Sequence, residues 1–173
     1  MPKEFPHTLA HFLLSIGFQS MGGDLWQQEE SKVRVKAMPG ESQEGDICIG
    51  EDQWLMRRSS IEKHLIARVK PLRSVFARDT RIVPIDAETA REFLDKEHVK
   101  GFLKGSSYLG CIVPPHRVFR GIESSYTYEG HPLLAVAVFG KSIRMKEAGL
   151  EGCHSGELVE IATLSSIRLV GGL

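Results

Sequence analysis

Leu158-Val159-Glu160-Ile161-Ala162-Thr163-Leu164, followed by Arg168-Leu169-Val170-Gly171-Gly172-Leu173, is the stretch that decides the fold. The first part has the apolar, β-branched character of a strand over 158–164. The second reads as a glycine-rich turn fed by that strand. In a cofactor-binding α/β unit a helix follows such a turn, with its free N–H groups aimed at a phosphate. Paired glycines allow close backbone approach, and Arg168 ahead of them could pair with a phosphate. The stretch lacks both the G-x-G-x-x-G pattern and the lysine of a P-loop, which disfavours those two nucleotide sites.

Working back toward the N-terminus, Leu133 to Phe139 is the most apolar strand and Tyr108 to Val113 is another. The connection 140–156 is long and charged. Arg81-Ile82-Val83-Pro84-Ile85 reads as an edge strand, because its proline cannot donate to a ladder. Asp86 caps a helix over 86–97 whose apolar face is Ala87, Ala90, Phe93 and Leu94. Residues 98–105 form a short helix or loop, and 116–131 a loop. A domain boundary is expected near residues 71–80, dividing the chain into 1–75 and 76–173. Ahead of it, helical spacing marks 8–18 and 60–69. Alternation marks a strand at 32–36, a loop is expected over 38–45 and a second short strand over 46–50. Helices placed ahead of mostly antiparallel strands predict an α+β layer, preceded by a small α/β region over 1–75.

The chain has 173 residues, with 22 basic and 22 acidic side chains. A net charge of zero supplies no global field toward nucleic acid or an anionic membrane. The charge is uneven: residues 1–50 carry four Lys/Arg against seven Asp/Glu, and 51–81 carry eight against four. No window approaches the roughly 20 apolar residues of a membrane span. Three scattered cysteines suit a reducing, cytoplasmic compartment rather than a disulfide scaffold. With no Cys-x-x-Cys pair, no structural zinc site is expected.

Several side chains carry candidate chemistry. His98, just past the 86–97 helix, could act as a base or cap the helix's carbonyl end. Glu160 lies among apolar neighbours, where burial would raise its pKa and suit it to proton transfer. Arg57, Arg58, Lys63, Arg68 and Arg73 belong to a basic run that could track a nucleic-acid backbone, with Trp54 and Phe76 stacking on bases. An acidic partner protein would explain that run equally well. Asp46, with Glu41, Glu44, Glu51 and Asp52 nearby, leaves a metal-dependent nuclease as a further alternative.

FARDTRIVPIDAETAREFLDKEHVKGF (76–102), HPLLAVAVFGKSIR (131–144) and ELVEIATLSSIRLVGGL (157–173) together resemble phage and mobile-element Mom-like DNA-modification proteins. Those proteins are similar in turn to the N-acetyltransferase (GNAT) superfamily. The resemblance implies a half-domain, 76–173, of an acyl-CoA-dependent transferase acting on an amine, a nucleobase among the acceptors. Its cofactor would be acetyl-CoA or another acyl-CoA. Arg168, Gly171 and Gly172 would lie by the coenzyme pyrophosphate, and backbone groups of Leu164 and Ser165 by the pantetheine arm. Glu160 or His98 would be the base. The family's loop places a small residue where this chain has Leu173, and a helix and further strands follow it. A protein partner or second chain is therefore expected to complete the fold. The competing reading is a non-catalytic structural or nucleic-acid-binding subunit.

Overall fold

The computed structural model describes residues 4–37, 46–117, 124–146, 149 and 152–171. The expected loop at 38–45, together with Glu41, Glu44, Gly172 and Leu173, lies outside them. The chain is α+β and divides into two compact units, Met1–Pro71 and Leu72–Leu173.

In the first unit, helix α1 spans Glu4–Ser15, earlier at both ends than the 8–18 spacing indicates. The polar stretch after it is a hairpin, β1 (Phe18–Gly22) and β2 (Leu25–Gln28), which lacks a clean apolar alternation. Strand β3 (Arg34–Ala37) pairs antiparallel with β2, and β4 (Ile47–Ile49) joins β3 in parallel. Helix α2 runs over Glu51–Val69, nine residues longer at its start than the expected 60–69. Its φ and ψ leave helical values at Arg57 (−133°, 24°), so a regular 3.6-residue repeat breaks there. Phe5, Leu9, Leu13, Phe18, Trp54 and Leu65 fill this unit's core.

The second unit opens with β5 (Arg73–Phe76), a single 3-10 turn at Ala77–Asp79, and edge strand β6 (Arg81–Ile85). Helix α3, Ala87–Glu97, begins where the sequence indicates: Asp86 accepts from the Thr89 N–H at 2.7 Å. That backbone bond, followed by the Thr89 hydroxyl, holds the Asp86 carboxyl below its ordinary value. Strands β7 (Ser107–Ile112), β8 (Thr127–Tyr128) and β9 (His131–Phe139) come next. A small hairpin, β10 (Ile143–Arg144) with β11 (His154–Ser155), lies within the long connection. Strands β12 (Leu158–Thr163) and β13 (Ile167–Val170) complete the unit.

The main sheet has the order β12-β9-β7-β6, antiparallel throughout, with β8 on β9. Helix α3 packs on one face, and Ala90, Phe93, Leu94, Tyr108, Leu134 and Val136 form the core between them. Strand β13 pairs in parallel with β5, setting Ile167 against Arg73 and Val170 against Phe76. That pairing places β5 in the second unit, which begins at Leu72. It also corrects the reading of the C-terminal stretch. A tight turn at 164–166 follows β12, and Arg168 to Val170 form a strand instead of the start of a glycine turn.

Candidate functional site

The C-terminal end of α3 meets β12 in a cluster of polar side chains. His98 closes the helix, its N–H donating to the Leu94 carbonyl at 3.0 Å. The chain then turns through Gly101, whose N–H donates to His98 O at 3.0 Å and whose φ is 76°. A left-handed residue here costs glycine nothing, and it brings the Gly101 carbonyl to the imidazole. His98 Nδ1 sits 3.3 Å from Gly101 O. A carbonyl only accepts, so Nδ1 carries a proton and Nε2 is turned toward β12.

There Nε2 lies 3.6 Å from Glu160 Oε1, while Lys100 Nζ donates to Glu160 Oε2 at 3.1 Å. The fold thus brings together the two residues proposed as bases. It adds Lys100, which lay unremarked beside His98 because nothing local points it at a strand 60 positions away. Burial does push the Glu160 carboxyl upward, as its apolar neighbours suggest. The Lys100 hydrogen bond and the charges of His98 and Lys100 outweigh it, and the net position is below the ordinary value. The expectation of a raised Glu160 pKa is corrected on that ground. Near neutral pH this is a carboxylate with Oε2 on the Lys100 ammonium and Oε1 facing the His98 ring, suited to holding a positive or N–H-bearing group.

Glu97, missed in the sequence, secures the neighbouring turn. It accepts the Tyr126 hydroxyl at 3.0 Å and the Ser165 N–H at 3.0 Å. Burial first, then the charge of Glu97 and its hydrogen bond, drives the Tyr126 phenol upward, so it remains a donor. Asp95 accepts the Phe102 N–H at 2.9 Å and fixes the far side of the His98 turn.

Residues assigned to a coenzyme give a divided result. Arg168 is exposed on β13, and Gly171 (φ 74°) has open space where a Cβ would stand. A guanidinium and an uncrowded backbone fit a pyrophosphate. Leu164 and Ser165 fit a pantetheine arm less well. The Leu164 N–H donates to Leu134 O at 2.8 Å, its carbonyl accepts from Ile167, and the Ser165 N–H is on Glu97.

The basic run is split between the units: Arg57, Arg58, Lys63 and Arg68 lie on α2, and Arg73 on β5. Arg58 binds Glu62 at 2.7 Å and lies 5.2 Å from the Trp54 ring centre. Trp54 is buried and donates to the Thr8 hydroxyl at 3.0 Å, so it cannot stack on a base. Phe76 is 46% exposed with Arg78 over its ring. Asp46 is buried against Arg34, with Nη2 donating to Oδ2 at 3.0 Å and Nε 3.0 Å from Oδ1. Both its oxygens are engaged, which removes the carboxylate on which a nuclease reading centred. Among the described residues no group of three or more His, Cys, Asp or Glu is placed to hold a metal ion.

Among the described residues no helix is long and apolar enough to cross a membrane. Comparison with protein-family models, curated proteins and solved structures returned no match.

Proposed function

We propose that residues 72–173 act as a half-domain of an acyl-CoA-dependent transferase-like protein whose acceptor is an amine. The observation that carries this reading is the meeting of His98 and Glu160 at 3.6 Å, with Lys100 on the second carboxylate oxygen. An acceptor nitrogen must present a lone pair to be acylated. Glu160, held ionised, attracts an ammonium or accepts an N–H, and so draws the acceptor to the imidazole. His98 Nε2 then takes the nitrogen's proton, while the Gly101 carbonyl keeps the ring's other proton in place. Lys100 Nζ, on the second oxygen, keeps Glu160 ionised while it holds the acceptor. Arg168 and the Gly171 backbone would hold the coenzyme pyrophosphate. The coenzyme, when bound, supplies an activated thioester.

The test is calorimetric titration of the full chain with acetyl-CoA. Saturable binding is expected, weakened about tenfold or more by Arg168→Ala, equivalent to about 1.4 kcal/mol. Glu160→Gln should leave it unchanged, because that carboxylate serves the acceptor. No saturable binding, or equal binding by Arg168→Ala, ends the reading.

A further inference from the structure

Strands β5 and β13 make a parallel ribbon whose two faces differ. Residues in register across a sheet point to the same side, and successive residues along a strand alternate. Val75 is in register with Leu169, and both pack with Ile167 against the core of the second unit. Ser74 is in register with Arg168 and Phe76 with Val170, so these four share the outer face. Ser74, Phe76 and Arg168 are exposed there, and Val170 is half-buried.

Phe76 is 46% exposed, whereas Val75 beside it is 1% exposed. A single exposed apolar side chain needs no explanation by itself. Here its surroundings supply one. The Cα of Arg168 lies one strand over and two residues back, about 8 Å away on the diagonal by strand geometry. Gly171, directly after Val170, has open space where a Cβ would stand, so the backbone at this end of the ribbon is uncrowded. A guanidinium, a bare stretch of backbone and an open aromatic ring therefore lie together on one short ribbon.

The ring already accepts a flat partner. The Arg78 guanidinium carbon lies 5.0 Å from the Phe76 ring centre. Arg78 is itself exposed, and a cation–π contact at an exposed site is weak. A flat heterocycle can take its place on the ring and leave the guanidinium to close over the outer side. A ligand that carries a flat heterocycle and a phosphate one sugar apart is a nucleotide. The coenzyme assigned to Arg168 and Gly171 has two arms from its pyrophosphate. One ends in the thioester and the other in adenosine.

We propose that Phe76 is the platform on which the adenine of that coenzyme stacks. The inference rests on the transferase reading of Arg168 and Gly171 and adds a specificity to it. The ribbon distinguishes a free acyl-coenzyme A from an acyl group carried on a phosphopantetheine arm alone, because only the former brings a base to the ring.

Calorimetric titration of the full chain with coenzyme A tests this. Phe76→Leu keeps an apolar side chain and removes the π-face. It should weaken coenzyme A by at least about fivefold, with circular dichroism unchanged. Phe76→Trp should bind at least as tightly as the parent, and coenzyme A should quench the added fluorescence. The native Trp26 and Trp54 belong to the other unit. Phosphopantetheine, which has no base, should bind the parent at least about fivefold more weakly than coenzyme A does. Coenzyme A binding that Arg168→Ala weakens and Phe76→Leu does not would overturn the inference and leave the transferase reading standing. Equal affinity for phosphopantetheine and coenzyme A, or no quenching of Phe76→Trp at saturation, would overturn it too. No saturable binding by the parent would remove the reading and the inference together. An oligodeoxyadenylate that binds more tightly than coenzyme A and loses as much on Phe76→Leu would give the ring to a nucleic-acid base instead.

Discussion

Glu160 illustrates how little of a side chain's behaviour is local. Its neighbours in sequence, Val159 and Ile161, suggest a carboxyl raised by an apolar setting. Its neighbours in space, Lys100 and His98, reverse the direction. His98 and Glu160 were legible singly as chemical residues. Their pairing was not, because it depends on where α3 stops and how β12 registers against β9. Glu160 carries a pH prediction. Its folded pKa is depressed, so its contribution to stability is present above the ordinary value of 4.5 and is lost as pH falls through the lower folded value. Lys100 is 70% exposed, so screening holds the contribution to roughly 0.5–1 kcal/mol. Urea denaturation at pH 7 should find Glu160→Gln less stable than the parent by about that amount. At pH 3 the gap should close. A gap that persists at pH 3 would assign the loss to packing rather than charge.

Elements whose signals are local were read well, and those that depend on distant partners were not. Helix α3 has a capping aspartate, an apolar stripe and a preceding proline in β6, all within one short window. Strand β13 has four residues, and its hydrogen-bonding partner β5 lies at the other end of the unit. The glycines after it were the stronger local signal and suggested a turn. The first half of α2 was hidden by the departure from helical geometry at Arg57. Gly105 shows what strand packing requires. A Cβ there would lie 2.5 Å from Val138 Cγ1 and 2.6 Å from the Phe139 carbonyl oxygen. That carbonyl also accepts the Ser106 N–H at 2.8 Å, so it cannot simply withdraw. Gly105→Ala should cost about 1–3 kcal/mol by overpacking. Thermal unfolding followed by far-ultraviolet circular dichroism should fall by several degrees; an unchanged midpoint would show that β9 gives way.

For the whole molecule, the sequence conveyed α+β character. The fold class was legible because strand and helix periodicities differ so plainly. Each unit encloses its own core, and both tryptophans, Trp26 and Trp54, belong to the first. Tryptophan fluorescence therefore reports one unit, while Tyr108, Tyr126 and Tyr128 belong to the other. In the Gly105→Ala protein the tryptophan midpoint in urea should stay where it is while near-ultraviolet tyrosine ellipticity is lost earlier. A common shift of both signals would mean that the two units melt as one cooperative body.

The parallel pairing of β5 with β13 has a consequence during synthesis. Arg73 leaves the ribosome long before Ile167, its partner across the ladder. Until the later strand emerges, β5 has unpaired backbone groups and an apolar Val75 to shield. Slow translation of this span, or a nascent chain halted before residue 167, should therefore increase its capture by chaperones.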